Sequence, residues 1–369
     1  MNSRTIWWIS GVVSLVLIIL LFGLWVEKNQ QKTDPTQLPN ELAVQDYLKT
    51  NWPEPSLLIK TGIFIQSLKF LGSSDVQLSG YIWQKYEDGI HDSVKPQPGE
   101  VGFVLPESVD AADGQAREAY RIRQNNEEVI GWYFEQTLRQ TFNYADYPFD
   151  HKTVWVRFWP KDFSANIVLV PDLESYTSTG AEDVFGIEEL IVLGTWQREN
   201  TFFDYKSADY DTNFGILDYS GQNGFPELHY NVVIKRNFEN AFIVHMIPLF
   251  VVATLLFGAV MTVTRRKGLA ERHGSSTSNV IGTCSVLFFV VLLAHVQLRE
   301  GFSGSPVVYM EYFYFMMYFL LLVVSVNTYL FAHEAAPSLR VIHYKDNLIP
   351  KAAFWPVVLF LMVVITLFA

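Results

Sequence analysis

The sequence predicts an all-β sandwich outside the cell or in the periplasm, followed by a four-helix transmembrane bundle, with an extra N-terminal hydrophobic helix. Three observations carry this prediction. Apolar runs at 6–26, 241–263, 280–298, 307–331 and 353–369 approach bilayer length, and a helix needs about 20 apolar residues to cross a bilayer. The chain between the first two runs alternates apolar with polar residues and is rich in β-branched and aromatic side chains, the pattern of half-buried strands. Charge is divided by region: residues 27–240 hold 33 of the 38 Asp and Glu but 18 of the 27 Lys and Arg.

Residues 1–26 form an N-terminal transmembrane anchor or a signal. The run is longer than a typical signal core, and LWVEKNQQ after it carries no small-residue cleavage pattern, which favours a retained helix. Residues 27–56 are a polar linker with Pro35, Pro39 and Pro53, and a short helix fits around Leu42 to Leu48. Residues 57–237 hold the β-rich domain. LLIKTGIFIQSLKF and VQLSGYIWQKY flank a Gly72-Ser73-Ser74-Asp75 turn, and YRIRQ, EVIGWYFEQTLRQTF, KTVWVRFWP, NIVLVPDL, IEELIVLGTWQRE and ELHYNVVIKR follow. Short strands broken by Gly, Asp, Asn and Pro are the signature of a sandwich, with a barrel as the alternative. Residues 238–369 supply four apolar helices joined by short connections.

Arg4 precedes the first run, Arg265, Arg266, Lys267 and Arg272 follow the second, and Arg340, Lys345 and Lys351 lie between the last two. Positive residues in short loops mark the cytoplasmic side. The expected topology is a multi-pass inner-membrane protein with the N-terminus inside and residues 27–240 outside. The single cysteine, Cys284, excludes an intrachain disulfide and a thiolate metal cluster and reads as a packing residue.

Two local patterns sharpen the reading. Tyr147-Pro148-Phe149-Asp150 follows Thr141-Phe142-Asn143, and Arg236 precedes Pro248 by twelve residues at the entry to the second run. In these features the sequence resembles the prokaryotic pentameric ligand-gated ion channels of the Cys-loop receptor superfamily. That family carries an aromatic-Pro-aromatic-Asp loop touching its membrane domain, a basic residue before the first pore-domain helix and a proline within it. Gln140 and Val154 stand where the naming cysteines would fall, as in prokaryotic members that lack the bridge. Tyr86 and Asp88 resemble an early-strand signature, and Tyr309-Met310 opens the next-to-last helix as in prokaryotic relatives. The resemblance covers roughly residues 57–369. It implies a homopentamer in which 57–237 binds ligand and 238–369 is the channel domain, and it makes the unknown signal a small molecule or protons.

The resemblance makes Tyr147, Pro148, Phe149, Asp150, Arg236 and Pro248 coupling residues. Two rings and a carboxylate at a loop tip suit helix ends at a membrane surface, with Asp150 positioned to pair near Arg236 or Arg299. Pro248 removes one helical hydrogen bond, which makes it a flexible point or a static kink. At about 100° per residue, Asn279, Thr283, Val286, Val290, Leu293 and Gln297 form one stripe, polar at both ends and apolar between. Around a fivefold axis that stripe would line a pore with a hydrophobic constriction that gates by dewetting; otherwise it is packing surface. No acidic residue opens that helix, since Glu271 lies several residues upstream. The acidic outer domain favours cations as the permeant ions. Tyr133, Trp159, Tyr205, Tyr210 and Tyr219 match the family's ligand loops, where aromatic rings hold ammonium groups, the last three within a flexible flap at 205–226.

Asp209-x-Asp211-x-Asn213 looks like the start of a calcium loop but lacks the following bidentate Glu. Phosphate-loop, dinucleotide, zinc-protease and serine-hydrolase motifs are missing, so no enzyme and no cofactor is expected. Sparse basic residues, divided by the apolar runs, argue against nucleic acid. The rival is a membrane-anchored periplasmic sensor or scaffold that signals to a partner protein through a solid helix bundle without conducting ions.

Overall fold

The computed structural model describes residues 2–30, 34–52, 57–87, 101–109, 116–124, 126–162, 167–217, 224–265, 277–302, 305–332 and 340–368. The chain divides into two compact units: residues 31–142 with 151–236, and residues 1–30 with 143–150 and 237–369.

Among the described residues the first unit holds nine strands: β1 Leu57–Phe70, β2 Asp75–Glu87, β3 Phe103–Val104, β4 Arg117–Gln124, β5 Glu127–Arg139, β6 His151–Pro160, β7 Ile167–Pro171, β8 Trp196–Ala208 and β9 Phe225–Arg236. They form a five-stranded sheet ordered β4-β5-β2-β1-β7 and a four-stranded sheet ordered β3-β6-β9-β8. Every pairing is antiparallel except β1 with β7, which is parallel. Strand alternation sends one face of each sheet into a common core. Ile63, Ile82 and Phe134 from one sheet and Val154, Phe203 and Tyr230 from the other belong to that core, and none exceeds 1% exposure. Between β6 and β8, β9 is buried on both faces from Pro226 to Ile234. Its outer face is closed by polar pairing, with Asn231 Nδ2 donating to Asp204 Oδ1 at 2.7 Å and Thr36 Oγ1 to Asp204 Oδ2 at 3.3 Å.

The short helix expected in the linker is α2, Glu41–Asn51. Asn40 caps it by accepting from the Ala43 amide at 3.0 Å. Val44 enters the core, and Tyr47 stacks on Tyr205 at 5.0 Å.

Two strand expectations need correction. IEELIVLGT is not strand: Ile187 makes one bridge to Ile65, residues 189–190 and 194–195 form turns with irregular chain between them, and the chain enters β8 only at Trp196. Gly194, at φ +65°, supplies the left-handed bend before that entry. The flap expected from Tyr205 begins later, because residues 205–208 complete β8 in register with Phe225 to Leu228.

Among the described residues the second unit contains α1 Ser3–Lys28, α3 Phe238–Thr262, α4 Thr277–Glu300, α5 Tyr309–Ala332 and α6 Leu348–Phe368, five helices long and apolar enough to cross a membrane. In α3 the irregularity lies upstream of the proline. Phe242–Met246 is a π-helical turn, and the Ile247 amide reaches back to the Phe242 carbonyl. Pro248 then stands in the first turn of the regular segment, where its missing N–H is tolerated. At the opposite ends of the helices, cations satisfy final carbonyls. Lys351 Nζ donates to the Val263 carbonyl at 2.6 Å, and Arg265 Nε donates to that of Phe331 at 3.0 Å. Asp346 accepts from Thr264 Oγ1 at 2.7 Å and from the Arg265 amide at 2.9 Å.

Candidate functional site

In the two-sheet unit, the outer face of the four-stranded sheet carries a cluster of rings and charges. Every second residue of β6 (Trp155, Arg157, Trp159) points away from the core beside Glu227 and His229 of β9. Glu227 is the hub, 5% exposed. Its Oε1 accepts from Trp159 Nε1 at 2.5 Å and from the Tyr210 hydroxyl at 2.6 Å, and its Oε2 from Arg157 Nη1 at 3.0 Å. Arg157 also pairs with Glu107. Its guanidinium lies 5.3 Å from the Trp159 ring centre and 6.0 Å from that of Trp155. Tyr210 and Phe214 complete the rim, edge-on to Trp159 at 5.6 and 6.2 Å.

Of the aromatic candidates, the structure therefore brings Trp159 and Tyr210 together. Tyr133 lies on the outer face of the other sheet, edge-on to Tyr81 at 5.4 Å. Tyr205 is not a surface residue: it is 4% exposed, its ring is in the core and its hydroxyl donates to the Leu169 carbonyl at 3.0 Å. The alternation of β8 turns it inward, so it leaves the candidate set. Tyr219 lies outside the described residues. Spacing alone did not identify Arg157, Glu107 and Glu227, although an Arg between two tryptophans in Trp155-Val156-Arg157-Phe158-Trp159 was a legible hint.

The electrostatics follow from burial. Burial pushes the Glu107 carboxyl up, opposed by the Arg157 charge. His229, stacked on Trp155 at 5.4 Å, is pushed down to about 3 by burial, with the Lys206 and Arg157 charges adding to the effect. It stays neutral throughout the physiological range. A second cage surrounds Lys152, whose ammonium lies 5.7, 4.9 and 5.1 Å from the ring centres of Phe70, Phe142 and Trp196. In both places the rings face a cation that the chain itself supplies.

The helical unit contains the loop Asn143–Asp150, set between β5 and β6 in sequence but packed with the helices. Tyr147 sits 4.6 Å from Phe302 and 5.9 Å from His245. Phe149 stacks on Phe238 at 4.9 Å and touches Tyr309 at 5.8 Å and Trp25 at 6.3 Å. The amides of Tyr309 and Met310 donate to the carbonyls of Ala145 and Tyr147 at 2.6 and 3.2 Å. The first turn of α5, whose N–H groups have no helical partners, is thereby capped by the loop. The Tyr147-Pro148 peptide is cis, and Asp150 is buried at 3% exposure. Sequence reasoning missed the part played by α1: Trp25 Nε1 donates to the Tyr309 hydroxyl at 2.9 Å, and Lys28 Nζ pairs with Asp146 at 3.2 Å. At the end of β9, in the two-sheet unit, Arg236 lies 4.1 Å over the Trp196 ring and Lys235 pairs with Glu199 at 3.6 Å.

On α4 the six stripe residues Asn279, Thr283, Val286, Val290, Leu293 and Gln297 are all exposed on the single chain. Val280, Cys284, Leu287, Val291 and Leu298 form its buried face. Near the end of α4, Glu311 of α5 is buried and accepts from Arg299 Nη1 at 3.2 Å and from the Val308 amide at 2.8 Å. Its other oxygen lies 3.3 Å from His295 Nε2, and His295 stacks on Tyr314 at 5.2 Å. The Glu311 bond to the residue before its own helix is half of a capping box.

No protein-family model matches the chain, and no curated protein matches it.

Proposed function

We propose that the chain is a subunit of a homopentameric ligand-gated ion channel. The observation that carries this reading is the Asn143–Asp150 loop: it leaves a sheet after β5, returns to a sheet at β6, and between them seats Tyr147 and Phe149 among rings of α1, α3 and α5. A ligand that displaces β5 or β6 pulls on both ends of a segment locked into the helices. In the proposed cycle that pull biases the helices between a closed and an open arrangement.

The ligand site is the Trp159–Tyr210–Glu227 cluster together with the Tyr133 face of a neighbouring subunit, since those two outer faces belong to different sheets of one chain. Because Arg157 already stands against the rings, the ligand competes with or reorganises the Arg157–Glu227 pair rather than entering an empty cage. The exposed stripe of α4 lines the pore, with Val286, Val290 and Leu293 as its dewetting segment.

Single-channel recording of the reconstituted full chain across candidate ligands and pH tests this reading. Val290→Asn introduces polarity into the constriction and is expected to raise current through the unliganded protein. Reversal potentials under an ion gradient identify the permeant ion, for which the acidic outer region favours cations. A chain that purifies as a monomer or dimer refutes the proposal, as does current that polar substitution at Val290 leaves unchanged.

A further inference from the structure

The helical unit contains a large apolar cavity that the channel reading does not use. It has a volume of about 800 Å³ and is walled by α1, α3, α5 and α6, within the ~300–1,000 Å³ range of sites that enclose a drug-sized molecule. Its lining runs from Trp7 to Trp25 along α1. The eighteen residue-to-residue rises between them, at ~1.5 Å each, cover about 27 Å, close to the ~30 Å hydrocarbon core of a bilayer. Trp7 and Trp25 at the two ends match the aromatic belts of membrane interfaces.

The wall chemistry is that of a chain-binding slot. Met246, Met317 and Met362 supply unbranched, adaptable surface. On α1 the small residues Ser10, Gly11 and Ser14 face the slot. In a close helix–helix contact, a Cβ added to such a glycine would collide with the neighbour. At Gly11 an added Cβ meets nothing within 4 Å, so the small residues leave space there. The Ser10 hydroxyl donates its proton to the Ala352 carbonyl at 2.5 Å, so it has no free donor to offer a ligand. Other positions of α1 lie outside the lining and are open to the surroundings: Trp8, Leu15 and Phe22 are 76, 60 and 67% exposed.

We propose that this cavity is a binding site for an acyl chain of a bilayer phospholipid, with α1 as the wall that makes it a site rather than open bilayer. The occupant follows from the walls, which are apolar over bilayer length, carry no charge and stand between helices long enough to cross a membrane. The proposal does not depend on conduction. If the channel reading also holds, Trp25, which lines the slot and contacts Phe149 of the loop, is where lipid occupancy is felt.

The test reconstitutes the full chain in vesicles of phosphatidylethanolamine and phosphatidylglycerol in which a phospholipid carries a photoreactive group midway along one acyl chain. Labelled residues are mapped by peptide mass spectrometry. Labelling is expected on the inward positions Met246, Met317 and Met362 as well as on the outward positions Trp8, Leu15 and Phe22. Gly11→Leu fills the slot and is expected to reduce inward labelling by on the order of tenfold while outward labelling is retained. Ser14→Leu is the second filling variant should Gly11→Leu fail to assemble. Labelling confined to the outward face, or inward labelling unchanged by filling, overturns the proposal. So does cross-linking that places a helix of a second copy in the slot. Labelling is read without any current, so its outcome is separable from that of the channel reading.

Discussion

His229 gives the sharpest quantitative expectation. The residue is 4% exposed, its ring stacks on Trp155, and among the described residues neither ring nitrogen has a hydrogen-bond partner. Burial pushes its pKa down to about 3 from an ordinary 6.5, helped by the Lys206 and Arg157 charges. A group whose pKa is depressed by folding contributes stability above its unfolded pKa, and that contribution is lost as pH falls towards the folded value. The unfolded chain takes up a proton below about 6.5 that the folded chain refuses until about 3. In that window stability therefore falls with decreasing pH by up to about 1.4 kcal/mol per unit, or about 2 kcal/mol between pH 6.5 and pH 4.5 once the half-protonation of the unfolded chain at pH 6.5 is counted. His229→Phe keeps an aromatic ring against Trp155 and abolishes the titration. Unfolding of the full chain by guanidinium, followed across this range for wild type and variant, isolates the term, because the other titrations cancel in the difference. Glu107 and Asp204 are among those that cancel. Burial raises both, so their contribution has the opposite sign, present at low pH and lost as pH rises through the folded values. The variant is expected to gain on wild type steadily as the pH falls. Parallel stability curves would show that His229 is solvated or hydrogen-bonded, and would refute the description of this face as closed.

Three further outcomes are expected. Glu311→Gln removes a buried charge held by Arg299 and His295 and is expected to cost about 1.5–3 kcal/mol, read as a lower Tm in detergent, with Arg299→Gln restoring part of the loss in the double variant. Phe149→Ala vacates a site bordered by Trp25, Phe238 and Tyr309 and is expected to cost about 3–5 kcal/mol; hydrogen exchange over residues 143–150 should accelerate, while Phe149→Leu changes it little. Gly186→Ala places a side chain at φ +65° with its Cβ 2.9 Å from the Ile63 carbonyl oxygen, so a loss of more than about 1 kcal/mol is expected in the same denaturation assay.

Much of the fold was legible because two periodicities do not imitate each other. Alternation over 57–70, 76–86 and 152–160 could satisfy only strands, and strands lie there. Runs of apolar residues marked the five long helices within a few positions. The misread segment, 187–195, shows the limit: IEELIVLG has strand composition, but after one bridge to β1 the chain runs irregularly through two turns. Tyr205 failed for a related reason. Its ring suits a ligand loop or a core equally well, and only the register of β8 on β9 decided that it faces inward.

The sequence by itself determined what depends on local composition and spacing: most of the strands, which helices are long and apolar enough to cross a membrane, and that Tyr147-Pro148-Phe149-Asp150 forms a compact aromatic turn. Only the tertiary structure decided which distant groups meet. It placed the 143–150 loop among the helices, set Arg157 between Glu107 and Glu227 under two indole rings, and laid α1 so that Trp25 reaches Phe149 and Tyr309 while Gly11 opens onto empty space. The physical reason is that contact partners separated by tens to hundreds of residues leave no periodic trace. Trp25 and Tyr309 are 284 residues apart, and nothing in either local sequence encodes the other; their meeting is set by how whole helices pack.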